Sequence, residues 1–308
     1  MERGRKKLRK NKLGSFKGHL LQYFPKDIVK YIDDKLTDLD RFVARIAWIP
    51  SFERLLPMQL AFFKDCAEQG HVNLLQWASE RVPIEKKKWG EDIFVGAASK
   101  GQLNVLNWAL AKGCAGYNTI FSAAASHGRL DVLEWAKRVR PNWSAHTCAS
   151  AAEGGRLEIL VWLRENGCQW SLTTCSRAAQ HGHLNILKWA IQNGCPHSKR
   201  ICMYRAAENG RLEIIKYYHN EALIPINHPG LCAAAAAGGQ MSTLVWLREN
   251  GYQWDAKTTQ NAATIGHFEM LKWVRQNGCP WDARTFDAAF NSGRLDIVQW
   301  LRENNCPE

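Results

Sequence analysis

The sequence predicts an all-α fold, an α-solenoid of about nine stacked helix–turn–helix units. One phrase recurs nine times, with a pair of small residues (usually Ala-Ala), a central glycine and a run of Leu, Ile and Trp in fixed order. Five of the eight intervals between central glycines are 27 residues, and the others are 31, 28 and 29. A fixed short period is typical of stacked units that share one continuous core. The central glycines are Gly70, Gly101, Gly128, Gly155, Gly182, Gly210, Gly239, Gly266 and Gly293.

Each unit is expected to contain two helices. Over 174–179 the sequence predicts a short helix with Thr or Ser near its start and a small Ala-Ala pair for close packing. After the glycine, residues 184–191 place Leu and Ile at i, i+3 and i+7, beside a second stripe of Ile, Trp and Ala. These two stripes predict a helix buried over a wide arc. Asn193-Gly194 then supplies a left-handed residue that ends the helix.

The repeated phrase resembles the ankyrin repeat over residues 57–308, as Thr-x-x-x-Ala-Ala-x-x-Gly-His-Leu-x-Ile-Leu-x-x-Leu-x-x-x-Gly. The unit is six residues shorter than the usual 33, and the loss falls where ankyrins have a β-hairpin. The resemblance therefore implies a solenoid that lacks the projecting β-hairpin fingers. Trp replaces the family's Leu in the second helix. This short, Trp-rich form is similar to ankyrin-like arrays abundant in large DNA viruses and some protists.

Twelve of the fourteen tryptophans occupy two fixed positions of the repeat. This recurrence predicts a packing role, because a binding site would concentrate aromatic side chains in one place. A platform for base stacking is the alternative. Trp77, Trp108, Trp135, Trp162, Trp189, Trp246, Trp273 and Trp300 lie seven residues after the glycine, and Trp143, Trp170, Trp254 and Trp281 lie fifteen after it.

The ten cysteines also follow the repeat and are expected to be small buried hydrophobes. No Cys-x-x-Cys and no Cys/His cluster has zinc spacing, and His181-x-His183 holds ordinary repeat positions. We therefore expect no metal and no cofactor. Without a signal peptide or a bilayer-spanning apolar run, we expect an intracellular protein of the cytoplasm and/or nucleus (of a host cell if viral), without disulfides or membrane contact.

Nothing in the sequence predicts an enzyme. Gly-rich phosphate loops, Gly-x-Ser-x-Gly and His-Glu-x-x-His do not occur. Recurrent acid–base pairs are expected on a solvated outer face. These pairs are Arg164-Glu165, Arg248-Glu249 and Arg302-Glu303.

Residues 1–18 form a basic tail that carries +7 of the formal net charge of +12. A like-charged tail is expected to stay disordered. It is interpreted either as an import signal or a contact to nucleic acid or an anionic surface, or as a solvated leader. Its basic residues are Arg3, Arg5, Lys6, Lys7, Arg9, Lys10, Lys12 and Lys17.

Residues 19–56 are predicted to be helical but lie outside the repeat. Their simplest interpretation is a cap over the first apolar face of the solenoid. The segment is also similar to the opening of an F-box, which would imply binding to the Skp1-type adaptor of ubiquitin ligases. The residues of that resemblance are Phe24, Pro25, Ile28, Ile32 and Leu36.

The period is irregular at 217–230, where Tyr217-Tyr218 replaces Trp-Leu and a Pro-containing segment replaces the Asn-Gly-Cys junction. We expect a bend or hinge here, because stacked repeats open first at a poorly packed interface.

Positions one, two, five and six before the central glycine vary between repeats, so they are candidates for recognition. By the ankyrin resemblance they line the concave face of the first helices. Tyr and Arg tend to dominate binding energy. The candidate residues are Arg177, His181, Tyr204, Arg205, Gln180 and His127.

These features predict an intracellular protein–protein interaction scaffold or adaptor, with a monomeric repeat array over 57–308 and no chemistry of its own. One alternative is a substrate receptor of an SCF-type ubiquitin ligase, in which residues 19–56 hold the adaptor and the array holds the target. The other is a nucleic-acid-associated protein that uses its basic tail.

Overall fold

The computed structural model describes residues 56–81, 86–140, 143–221 and 230–308. Over these residues the fold is all-helical and contains no β-strand, which confirms the predicted all-α solenoid of helical repeats. The helices are α1 (Leu56–Gln69), α2 (Val72–Arg81), α3 (Lys86–Lys100), α4 (Leu103–Ala111), α5 (Thr119–His127), α6 (Leu130–Val139), α7 (Ala145–Glu153), α8 (Leu157–Glu165), α9 (Leu172–His181), α10 (Leu184–Gln192), α11 (Lys199–Glu208), α12 (Leu212–Asn220), α13 (Gly230–Ala237), α14 (Met241–Glu249), α15 (Ala256–Ile265), α16 (Phe268–Gln276), α17 (Ala283–Asn291) and α18 (Leu295–Glu303).

Each repeat is one helix pair, with an odd-numbered inner helix and an even-numbered outer helix that pack on each other. The described residues fall into two compact units, which divide between Tyr117 and Asn118. In the first unit, α1 packs on α3 and α2 packs on α4. In the second unit, each inner helix from α5 to α15 packs on the inner helix of the next repeat. Consecutive inner helices therefore form the continuous layer of that unit.

Several inner helices, α7, α11, α15 and α17, begin at side-chain caps, and the inner helices pack through small residues. The Ser144 hydroxyl accepts a hydrogen bond from the His146 backbone N–H (3.3 Å), and this satisfies a donor that the helix start leaves unpaired. In α9, Ala178 and Ala179 are fully buried. Small side chains at these positions let neighbouring inner helices approach closely.

The outer helices bury a narrower arc than the sequence predicts. In α10 the fully buried residues are Ile186, Leu187 and Ala190, whereas Leu184 and Trp189 remain partly exposed. The difference arises because these two side chains lie at the margins of the contact, where they cover neighbouring residues and still meet solvent.

The side chain directly after a central glycine reaches back to the preceding repeat. Arg211 Nε donates to the Gln180 carbonyl (3.0 Å), and His183 Nε2 lies 3.0 Å from the Glu153 carbonyl oxygen. These side chains also lie over the preceding central glycine, since a Cβ added at Gly182 would be 3.0 Å from Arg211 Cδ. We call them clamp residues: Gln102, Arg156, His183, Arg211 and Arg294.

The tryptophans pack against one another from one repeat to the next. The rings of Trp170 and Trp189 meet edge to face at 5.9 Å between centroids. The Arg164 guanidinium lies 4.1 Å from the Trp170 ring centroid and donates to the Cys168 carbonyl. Arg164 was expected on a solvated face and is instead partly buried, whereas Glu165 is exposed. The same edge-to-face contact joins Trp143 to Trp162, Trp254 to Trp273, and Trp281 to Trp300.

The cysteines connect the end of a repeat to its start. Cys168 Sγ donates to the carbonyl of Ser144, the residue that caps the inner helix of the same repeat (3.4 Å). All ten cysteines are free thiols, and all except the partly exposed Cys114 are buried. Equivalent contacts are made by Cys195, Cys279 and Cys306.

Candidate functional site

The solvent-facing sides of the inner helices, here called the inner surface, carry all six recognition candidates. Arg177, Gln180 and His181 lie on α9, and Tyr204 and Arg205 lie on the next inner helix, α11. His127 is the last residue of α5. Its Nδ1 lies within hydrogen-bonding distance of the Ala123 carbonyl (2.9 Å) and the Ser126 hydroxyl (3.0 Å), so His127 is held by its own helix.

Arg177 and His181 share one carboxylate. Arg177 Nη1 lies 3.6 Å from Glu153 Oε2, and His181 Nε2 lies 3.7 Å from Glu153 Oε1. The ring of His181 also stacks on His183, with 6.5 Å between centroids and 9° between planes. The Glu153 carboxylate therefore offsets the positive charge of this cluster, and the cluster connects α7 to α9.

A groove of about 560 Å³ lies further along the inner surface. It crosses α11, α13 and α15, and its volume is within the range usual for ligand pockets. We call it the alanine groove. It is lined by Arg200, Ile201, Tyr204, Arg205, Glu208, Gly230, Ala233, Ala234, Asp255, Lys257 and Asn261.

The groove exists because the middle repeat has no large side chains on its inner surface. Gly230, Ala233 and Ala234 occupy the positions nine, six and five before the central glycine Gly239. One repeat earlier, the same positions carry Ile201, Tyr204 and Arg205. Long side chains on α11 and α15 thus form the walls, and α13 forms an alanine floor.

The walls combine aromatic, amide and charged groups. On α11, Arg205 Nη1 pairs with Glu208 Oε2 at 3.0 Å, and the Arg200 guanidinium lies 5.6 Å from the Tyr204 ring centroid. On α15, Asn261 Nδ2 donates to the Ala233 carbonyl at 2.8 Å. This bond holds one wall against the floor.

The structure therefore brings Tyr204 and Arg205 into one site and places Arg177, Gln180 and His181 in a neighbouring repeat. Sequence reasoning missed Arg200, Ile201 and Lys257, which lie nine or ten residues before a central glycine. Helical periodicity contains the missing signal, because these positions precede the chosen ones by one turn and share their face.

Several predicted features lie outside the described residues. They are the F-box-like residues Phe24, Pro25, Ile28, Ile32 and Leu36, the basic tail over 1–18, and the part of the irregular segment over 222–229. Within that irregular segment, Tyr217 and Tyr218 are described. Tyr218 is buried, and Lys188 Nζ lies 5.0 Å from the Tyr217 ring centroid.

The described ranges contain no group of three or more His, Cys, Asp or Glu side chains arranged to hold a metal ion. Within the same ranges, no helix combines the length and apolar character needed to cross a membrane. No protein-family model matches the sequence, and a search of curated proteins finds no match either. The alanine groove is thus the candidate site that the geometry itself identifies.

Proposed function

We propose that this chain is a non-catalytic, ankyrin-like protein-interaction scaffold that binds partner proteins on its inner surface. The observation that carries the proposal is the alanine groove, because it combines an apolar floor with a few polar groups on rigid helices. Binding sites for segments of other proteins have this composition. Tyr204 and Arg205 are side chains of the types that dominate binding energy.

The position of the groove supports the same function. The apolar interior of each repeat is used for stacking, so the inner surface can vary without loss of the fold. The two flanking inner helices pack on α13, and this holds the walls at a set distance. A partner would thus meet a largely preformed surface, which lowers the entropic cost of binding.

The test is capture of partners from intracellular lysate with the full chain, followed by mass spectrometry. Tyr204→Ala and Arg205→Glu should remove a defined set of captured proteins. Arg138→Glu, at an exposed position on the outer helix α6, should leave that set unchanged. If the inner and outer variants capture the same proteins as the wild-type chain, the proposed function is wrong.

A second candidate function rests on the sequence of residues 24–36. In this proposal, the full chain is a substrate receptor that holds a Skp1-type adaptor through Ile28 and Ile32. Purified adaptor should bind the wild-type chain and not the Ile28→Asp variant. Equal adaptor binding to the wild-type chain and the variant, or no binding to either, would favour the interpretation of residues 19–56 as a cap.

A further inference from the structure

The charges of the alanine groove do not cancel. Three basic and two acidic side chains line it. Glu208 is paired with Arg205, and the Asp255 carboxylate accepts a hydrogen bond from the Lys257 backbone N–H (3.1 Å) at the start of α15. Across the described part of the chain, Arg200 and Lys257 make no ion pair. The described lining residues thus carry one excess positive charge, with Arg200 on one wall and Lys257 on the other.

The segment between α12 and α13, residues 222–229, contains no Lys, Arg, Asp or Glu. The described lining residues sum to a net charge of +1, from three basic and two acidic side chains. The neighbouring cluster differs, because there the Glu153 carboxylate faces both the Arg177 guanidinium and the His181 ring.

The volume of the groove limits what it can hold. The groove lies on α13, between the long side chains of α11 and α15, and encloses about 560 Å³. That space accepts a short stretch of one extended chain. Alanine at the floor lets the main chain of a ligand come close.

We propose that the alanine groove binds an extended acidic segment of a partner protein. In this inference, which rests on the proposed function, a small side chain of the segment lies on Ala233 and Ala234. Its carboxylates lie near Arg200 and Lys257, on opposite walls. Ile201, a 45% exposed apolar side chain, adds apolar surface to the α11 wall and gains burial when the segment binds.

A peptide fits the groove better than a nucleic acid does. The alanine floor offers neither the aromatic surface nor the continuous positive track that single-stranded nucleic acids require. A peptide whose carboxylates are separated by small residues needs neither of them.

The experiment measures fluorescence anisotropy of the full chain with labelled ten-residue peptides. The peptides contain Gly, Ala, Ser and Val with zero, two or four Glu residues, and a matched set carries Lys in place of Glu. Affinity should rise with the number of Glu residues and fall with added salt. It should not rise with Lys.

Three variants locate the binding site. Lys257→Glu and Arg200→Glu should each weaken binding of the four-Glu peptide roughly tenfold or more, because each replaces an attraction with a repulsion. Lys257→Glu also places a carboxylate in the first turn of α15, which suits the helix dipole and preserves the fold. Ala234→Phe, which fills the floor, should weaken binding without any change in charge. Far-UV circular dichroism checks that each variant is folded.

Arg138→Glu is the matched control, because it changes the net charge equally on an outer helix. If it weakens acidic-peptide binding as much as Lys257→Glu does, the attraction belongs to the net charge of the whole chain and the inference is overturned.

The inference is also overturned if a 20-nucleotide single strand binds in the groove and the acidic peptides do not. Neutral peptides that bind in an Ala234-dependent way would overturn the acidic specificity and leave the scaffold function standing. The scaffold function fails as well if no peptide binds and inner-surface variants do not alter lysate capture.

Discussion

Arg211 covers Gly182 across the boundary between two repeats. Its Nε donates to the Gln180 carbonyl at 3.0 Å, and its Cδ occupies the space beside the glycine. Gly182 therefore serves two purposes, since it also ends α9 in the left-handed conformation, with φ of +85°. The repeat glycine thus ends one helix and leaves space for a side chain of the next repeat.

Gly182→Ala should destabilise the chain more than Gly194→Ala does. Both glycines have a positive φ, +85° and +81°, so alanine costs about 1–2 kcal/mol of left-handed strain at either site. A Cβ at Gly194 meets nothing within 4 Å, whereas one at Gly182 meets Arg211. Displacing Arg211 should add about 0.5–1.5 kcal/mol through the lost hydrogen bond. Urea denaturation measures the difference, and equal losses would show that the clamp contributes nothing.

Arg164→Lys should lower the free energy of unfolding by about 1 kcal/mol. The planar guanidinium stacks on Trp170, and such contacts contribute about 0.5–1 kcal/mol at partly exposed sites. Lysine has no planar group to stack there. Arg138→Lys on the exposed face of α6 is the control and should stay within about 0.5 kcal/mol of wild type. Similar values for the two variants in urea denaturation would contradict a stabilising role for the stack.

The stability of the chain should fall as the pH rises above 9. Burial raises the pKa of Cys232 and of Cys279 to about 12, from 9.0. A raised pKa in the folded state means that the stabilising contribution is complete below pH 9 and is lost as the pH approaches 12. Between pH 8 and pH 10, each such thiol should lower the free energy of unfolding by about 1 kcal/mol, because only the unfolded chain ionises.

Cys279→Ala is the direct check on that pH dependence. The variant should lose about 1 kcal/mol less than wild type between pH 8 and pH 10, when both are measured by urea denaturation. Tyrosine ionisation affects both proteins equally and cancels in the comparison. An identical pH dependence in variant and wild type would show that the thiol already ionises in the folded chain.

Under the alternative in which the basic tail contacts nucleic acid, removal of residues 1–18 should abolish most of the salt-dependent binding to nucleic acid. The deletion lowers the formal net charge from +12 to +5, because the tail carries +7. Phosphate binding releases counterions in proportion to the cations engaged. Anisotropy with a single-stranded oligonucleotide at 50 and about 200 mM salt measures the slope. An unchanged slope would assign the binding to the repeats.

Much of the fold could be predicted from single residues, because the same helix-ending and packing residues recur at fixed positions of the repeat. Ala178-Ala179 predicted the close contact of α9, and Gly194 predicted the end of α10. The candidate site was predictable only in part. Tyr204 and Arg205 were found from their variability, whereas Arg200 and Lys257 were missed because their positions were not compared between repeats.

Two features could not be predicted from the repeat pattern. Arg164 was expected in solvent, yet it stacks on Trp170. The run of alanines in α13 was expected beside a poorly packed, hinge-like interface, and no binding role was predicted for it, yet Ala234 forms the floor of a groove. In both cases the solvent exposure of the side chain depends on how far the neighbouring residues cover it.

The amino-acid sequence alone established the helical class, the nine copies of the repeat and the glycines that end the helices, because these depend on contacts within a few residues. The three-dimensional packing decided which side chains meet across a repeat boundary. Residues such as Gln180 and Arg211 are about one repeat apart in the chain and share no local signal. The alanine groove is a property of three successive inner helices, since its walls and its floor come from different repeats.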